Sequence, residues 1–194
     1  MLLEQIVKGA LKVYFGIFYR VRIKGMENVP KEGGLILCAN HIGRLDMFFI
    51  AYKIKRLVHF MAKAELYKYP IIKWFLNNVG AFPVKRGTGD IGAAKTVYKL
   101  LKNGEMIGIM PEGTRTKGKE QVKPKSGAAM FALSAGVPIL PVGISGTYKF
   151  FSVVNVNIGK PFKLTYEGGR KPSQEDLAAI SEEMMKKIYA LVEE

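Results

Sequence analysis

The chain has 194 residues, 48% of them hydrophobic and 24% charged, which excludes a disordered protein and fits one domain with a buried core. Its single cysteine, Cys38, excludes an intrachain disulfide and fits a reducing compartment, and no run reaches the ~18 unbroken apolar residues of a membrane-spanning helix. The formal net charge of +14, from 30 Lys+Arg against 16 Asp+Glu, favours an anionic partner: nucleic acid, anionic lipid, an acidic protein or a phosphorylated substrate.

Residues 2–21 read as a helix, because Leu3, Ile6, Val7, Ala10, Leu11, Tyr14, Ile17, Phe18 and Val21 recur at helical spacing. Phe15 and Tyr19 widen the apolar face, and Lys8, Lys12 and Arg20 interrupt it. Two readings are open: a first helix packed on the core, or an amphipathic helix lying in a membrane interface with its lysines toward headgroups. The positive charge tips the balance to the membrane. No signal peptide is expected, since no basic stretch comes first and no small-residue cleavage site follows.

Arg20–Lys24 reads as a strand and 25–34 as a loop with Pro30, Gly33 and Gly34. Leu35 to Cys38 is a short buried strand, and Met47 to Ala51 opens a helix with Asp46 near its start. Between them lies Asn40-His41-Ile42-Gly43-Arg44-Leu45-Asp46. An imidazole titrates near neutral pH, and a carboxylate a few residues away can orient it. Alone, such a pair is more often a polar turn and a helix cap. Cys38 sits in the apolar run and reads as a small core residue.

Leu57–Ala62 is a candidate strand whose His59, flanked by apolar residues, reads as structural. Pro70 opens a helix that Gly80 stops. Ala81-Phe82-Pro83-Val84 leads into Lys85-Arg86-Gly87 and a helix beginning near Asp90, with Ile91, Ala94, Tyr98 and Leu101 on one face. Two cations thus precede a helix N-terminus, which attracts phosphate. Met106–Met110 is a buried strand running into Pro111-Glu112-Gly113-Thr114-Arg115-Thr116. A basic surface loop follows, with Lys117, Lys119, Lys123 and Lys125. Ser126–Ala135 is helical, and 137–144 is extended because Pro138 and Pro141 forbid a helix. Phe151–Ile158 and Phe162–Thr165 are strand-like. A last helix starts from a capping box of Ser173 and Asp176, with Leu177, Ile180, Met184, Ile188 and Leu191 toward the core. No repeat or linker is present. The alternation predicts a single α/β domain at 22–194, a mixed, largely buried sheet flanked by helices, preceded by the N-terminal amphipathic helix at 1–21.

Four segments now align in order: Asn40-His41-x4-Asp46, Phe82-Pro83-Val84-Lys85-Arg86-Gly87, Pro111-Glu112-Gly113-Thr114-Arg115-Thr116 and Val137-Pro138-Ile139-Leu140-Pro141-Val142. Together they resemble the glycerolipid acyltransferase family, and its bacterial 1-acyl-sn-glycerol-3-phosphate acyltransferases in particular. Lys63, Glu65, Leu66 and Pro70 match the stretch between the first two motifs. The resemblance covers roughly residues 20–165.

The resemblance implies transfer of a fatty acyl group from an acyl carrier protein or coenzyme A thioester to the sn-2 hydroxyl of lysophosphatidic acid, giving phosphatidic acid. His41 is then the general base and Asp46 its orienting carboxylate. No serine or cysteine stands in a nucleophile's setting, so direct transfer is simpler than an acyl-enzyme. The acceptor phosphate falls first to Arg86, then Arg115, with Lys85 and Lys63 as further cations. Glu112 and Gly113 match the acceptor-binding motif, Glu112 being expected to hold the glycerol or an arginine. No cofactor or metal is implied, no nucleic-acid motif is present, and the site belongs on the cytoplasmic face of the cell membrane, peripheral or monotopic. Gly43 departs from the serine common in the family, and Arg44 and Met110 are further departures; none removes a group the chemistry needs. Within the class, glycerol 3-phosphate or another lysophospholipid is an alternative acceptor. Outside it, the charge alone would allow a non-catalytic module binding anionic membrane or nucleic acid.

Overall fold

In the computed structural model of the chain, residues 2–85, 89–116 and 122–193 are described. The elements are α1 (Leu2–Phe18), β1 (Arg20–Lys24), β2 (Leu35–Ala39), α2 (Asp46–Ala51), β3 (Val58–Lys63), α3 (Pro70–Asn78), β4 (Phe82–Val84), α4 (Ile91–Lys102), β5 (Met106–Ile109), α5 (Gly127–Ala135), β6 (Ile139–Gly146), β7 (Val153–Ile158) and α6 (Gln174–Glu193). Seven strands form one sheet in the order β1-β7-β6-β2-β5-β3-β4.

The α/β class and the mixed sheet flanked by helices agree with the sequence reading. The central strand β2 shows why. All five of its residues are buried, as in a parallel strand covered on both faces. Leu35, Leu37 and Ala39 join one apolar cluster with Phe15 of α1 and Phe49 and Ile50 of α2. Ile36 and Cys38 alternate to the other face, against α4, α5 and α6. Burial pushes the Cys38 thiol up, leaving it in its inert form.

β6, β2, β5, β3 and β4 all run parallel. β7 and β1 run the other way: β7 pairs antiparallel with β6 and carries β1, parallel to it, at the sheet's edge. Five carboxyl ends therefore open on one edge of the sheet, which is where open α/β sheets bind ligands.

Three local expectations are corrected. The first helix stops at Phe18, not at 21, because Arg20–Lys24 pairs with β7 as a strand. The buried residues of α4 are Ala93, Val97 and Leu101, of which Leu101 alone belongs to the expected face. Ile91 and Ala94 line a cavity together with Ala93, Ala94 also packs against the core, and Tyr98 stands edge-on to Phe131. The 162–165 stretch makes a single bridge, Phe162 to Ile139, and no strand. The capping box holds: the Ser173 hydroxyl accepts from Asp176 N at 3.1 Å, and Asp176 Oδ2 accepts from Ser173 N at 2.8 Å.

Candidate active site

The His41 turn leaves the carboxyl end of β2. Just before it, buried Asn40 acts as an extra rung of the sheet. Its Nδ2 donates to the Ile144 carbonyl at 2.9 Å, and its Oδ1 accepts from Ile144 N at 2.7 Å. The backbone of His41 is clamped from the β5 side: its N–H donates to Glu112 Oε2 at 3.0 Å, and its carbonyl accepts from Thr116 N at 2.9 Å. The ring is thus carried on a backbone tied to both neighbouring strands.

His41 Nδ1 lies 2.5 Å from Asp46 Oδ2. Asp46, wholly buried at the first turn of α2, also accepts from Ile42 N at 2.9 Å, from Gly43 N at 3.0 Å and from the Tyr148 hydroxyl. With donors on all sides Asp46 serves as an acceptor, so Nδ1 carries the proton and Nε2 presents its lone pair. Nε2 has no protein partner among the described residues. Such a ring can take a proton at Nε2 while Asp46 stabilises the imidazolium.

His41 also lines a cavity of about 550 Å³, bounded by Phe60, Met61, Ile109, Met110 and Phe131. Its wall is largely apolar, with Lys85 and Lys125 among its lining residues. Gly108 on β5 makes room for one wall: a Cβ there would meet the Phe60 ring at 2.2 Å.

The other expected site residues fall along the same sheet edge. Lys63 ends β3 and pairs in register with Val84, so Lys85 follows one step beyond; both lysines are exposed. Arg86 lies outside the described residues, as do Gly87, Lys117 and Lys119. Arg115 is exposed in the loop after β5, and among the described residues it makes no ion pair. The N-terminus of α4, expected to favour phosphate, is capped by the chain itself. Asp90 Oδ1 accepts from Ala93 N at 3.0 Å and Oδ2 from Lys85 N at 2.8 Å, and the Lys85 and Ala93 N–H groups hold its carboxyl below the usual carboxylate range.

Glu112 was expected to hold the glycerol or an arginine. In the structure both its oxygens are engaged within the protein: Oε2 by His41 N–H and Oε1 by the Tyr189 hydroxyl of α6 at 2.8 Å. It is 2% exposed, and burial pushes its carboxyl up against the opposing effect of those hydrogen bonds. Gly113 turns with φ 66°, and a Cβ there would meet the Lys125 side chain at 2.7 Å.

Sequence reasoning missed Tyr148, Tyr189, Thr116 and the role of Asn40. Tyr148 sits in an irregular stretch with no periodicity, and Tyr189 lies beside rather than on the expected core face of α6. Lys125 is exposed in a surface loop, as expected, and its backbone N–H returns to Pro111 at 2.8 Å, with its side chain over Gly113. Among the described residues no group of three His, Cys, Asp or Glu is placed to hold a metal.

The acyltransferase family model matches residues 20–145, which takes in all four motifs and the His41–Asp46 pair. The chain belongs to the acyltransferase family. The resemblance read from the motifs is borne out by this acyltransferase's relatives. It is similar to the 1-acyl-sn-glycerol-3-phosphate acyltransferase of Bacillus subtilis, 35% identical over 189 residues and covering 94% of each chain. The enzyme of the same name from Haemophilus influenzae is 27% identical, covering 96% of this chain and 83% of that one. Among solved structures, the 1-acyl-sn-glycerophosphate (LPA) acyltransferase PlsC of Thermotoga maritima shares the fold with a TM-score of 0.72 at 27% identity. That likeness covers 97% of this acyltransferase and 79% of the neighbour.

Proposed function

We propose that this chain transfers a fatty acyl group from an acyl thioester to the sn-2 hydroxyl of 1-acyl-sn-glycerol 3-phosphate, giving phosphatidic acid. The observation that carries the reading is His41, held through Nδ1 by buried Asp46 while its ring borders an apolar cavity.

Nε2 takes the proton of the acceptor hydroxyl as its oxygen attacks the thioester carbonyl. The tetrahedral intermediate expels the thiolate, which recovers the proton from the imidazolium, so His41 ends neutral. Asp46 stabilises the imidazolium between the two transfers. The cavity takes a fatty chain; its volume lies in the ~300–1,000 Å³ range of small-molecule sites. Lys63, Lys85, Arg86 and Arg115 supply cations for the acceptor phosphate, and Glu112 and Gly113 shape the turn beneath it. The donor is a thioester of acyl carrier protein or coenzyme A; both are anionic, in keeping with a net charge of +14.

The site works at a membrane surface. No helix among the described residues is long and apolar enough to cross a bilayer. α1 instead turns its ion pair inward: Lys8 Nζ meets Glu4 at 2.5 Å and donates to the Ile54 carbonyl at 2.8 Å. Leu2, Ile6, Val13 and Ile17 are left exposed on the other side. An apolar face turned outward on a basic protein suits the interface of an anionic leaflet, with the enzyme peripheral or monotopic on the cytoplasmic face.

The test is acyl transfer to 1-oleoyl lysophosphatidic acid in lipid vesicles, with acyl-CoA and acyl-carrier-protein donors in parallel and glycerol 3-phosphate as a second acceptor. Wild type is expected to form phosphatidic acid and His41→Ala to form none while remaining folded. Equal rates from both proteins would overturn the base assignment. Product only with glycerol 3-phosphate would change the acceptor.

A further inference from the structure

Asp46 is the most deeply placed charge in the site, and its donors come from two sources. Nδ1–H of His41 and the N–H groups of Ile42 and Gly43 belong to its own turn. The fourth donor, the Tyr148 hydroxyl, comes from 102 residues away, just past the carboxyl end of β6. It bonds to Oδ1, while His41 uses Oδ2.

Several features fix Tyr148 in this position. Its backbone has φ 55°, a left-handed conformation that aromatic residues rarely adopt. Its ring packs on Phe49 at 4.9 Å between centroids. Its carbonyl accepts from the Tyr19 hydroxyl at 3.4 Å. The same ring covers Gly43 so closely that a Cβ there would lie 2.4 Å from it. Glycine at 43 is thus the partner that Tyr148 requires. That Cβ would also stand 3.5 Å from Asp46 Oδ1, so a serine hydroxyl and the Tyr148 hydroxyl compete for one place.

We propose that Tyr148 is a positioning residue of the acyl-transfer site, its hydroxyl holding Asp46 so that the other carboxylate oxygen keeps the His41 ring in its basic orientation. The inference rests on the reading of His41 as general base. A hydroxyl donating to a carboxylate withdraws negative charge from it and fixes its plane. Asp46 then stabilises the imidazolium enough to assist proton removal, without holding that proton so tightly that the thiolate cannot recover it. Burial, and then the charge of Asp46, push the Tyr148 hydroxyl up, so it stays a donor. The titratable groups facing this set are His41 and Asp46 themselves, Glu112 from the loop after β5, Tyr189 on α6 behind it, and Tyr19 after α1. Arg44, on the same turn, is exposed.

Tyr148→Phe tests this, since it keeps the ring on Phe49 and Gly43 and removes only the hydroxyl. Expected are a roughly ten-fold fall in kcat, a KM for lysophosphatidic acid within about two-fold of wild type, and an acidic limb of the kcat profile moved to higher pH. The chain has 2 histidines, so the low-field Nδ1 proton resonance of His41 is assignable; it is expected to move while the His59 signals stay. An unchanged acidic limb and an unmoved His41 resonance would overturn the proposal, as would a loss confined to KM. His41→Ala assayed alongside separates the two readings. If it loses transfer while Tyr148→Phe behaves as wild type, this inference falls and the base assignment stands. If His41→Ala keeps wild-type transfer, the base assignment falls and takes this inference with it.

Discussion

The N–H of His41 donates to Oε2 of Glu112 across 71 residues of sequence, and the same carboxylate accepts from Tyr189 on the last helix. Three distant parts of the chain therefore meet behind the candidate base. Removing the carboxylate orphans two half-buried donors. Glu112→Ala is expected to destabilise the fold by about 2–4 kcal/mol, measured by urea unfolding, and to lower kcat with it.

Glu112 also predicts a pH dependence. Its folded-state pKa is raised above the ordinary 4.5, chiefly by burial. The folded protein thus binds that proton more tightly than the unfolded chain, and stability falls as pH rises from 4.5 through the raised value. Glu112→Gln cannot ionise. Its melting temperature relative to wild type is expected to climb over that window, whatever offset the lost hydrogen bond introduces. A pH-independent offset would contradict this.

Asn40 extends the β2–β6 ladder by two hydrogen bonds at a position 3% exposed. Asn40→Ala leaves the N–H and carbonyl of Ile144 unpaired. It is expected to cost about 2–4 kcal/mol in unfolding free energy. Because His41 is the next residue, kcat is expected to fall even at temperatures where the variant is fully folded.

Gly43 and Tyr148 exclude a side chain from the same space. Gly43→Ser is expected to displace the Tyr148 ring and lower kcat roughly ten-fold. The double variant Gly43→Ser, Tyr148→Ala is expected to be more active than either single variant, as the serine hydroxyl takes the vacated place beside Asp46. Additive losses in the four-way kinetic comparison would argue against the competition.

The outward face of α1 gives a prediction separate from catalysis. Ile6, Val13 and Ile17 are 57%, 62% and 58% exposed. Replacing all three with serine is expected to leave the melting temperature near wild type. Each loses about 1 kcal/mol or more of interfacial burial, so partition to anionic vesicles should weaken roughly 100-fold, read by co-sedimentation. A large loss of stability with unchanged vesicle binding would mean that this face packs on protein.

Much of this was legible in the linear chain because it is local. His41 and Asp46 lie five positions apart on one turn, so their meeting needs only a strand followed by a helix. The capping box of Ser173 and Asp176, the apolar run of β2 and the four ordered motifs are equally short-range, and they carried the α/β class and the family. The helix boundary at Phe18 and the buried face of α4 were not local matters. The first depended on β1 finding β7, and the second on which neighbouring elements pack against the helix. The same holds for the partners of the site. Glu112 and Tyr189 reach the His41 turn, and Tyr148 reaches Asp46, only because five parallel strands end on one edge of the sheet. Hydrophobic periodicity decides which residues go inside. Which buried polar groups then face one another is decided by strand order and register, and these arise only when the whole chain closes.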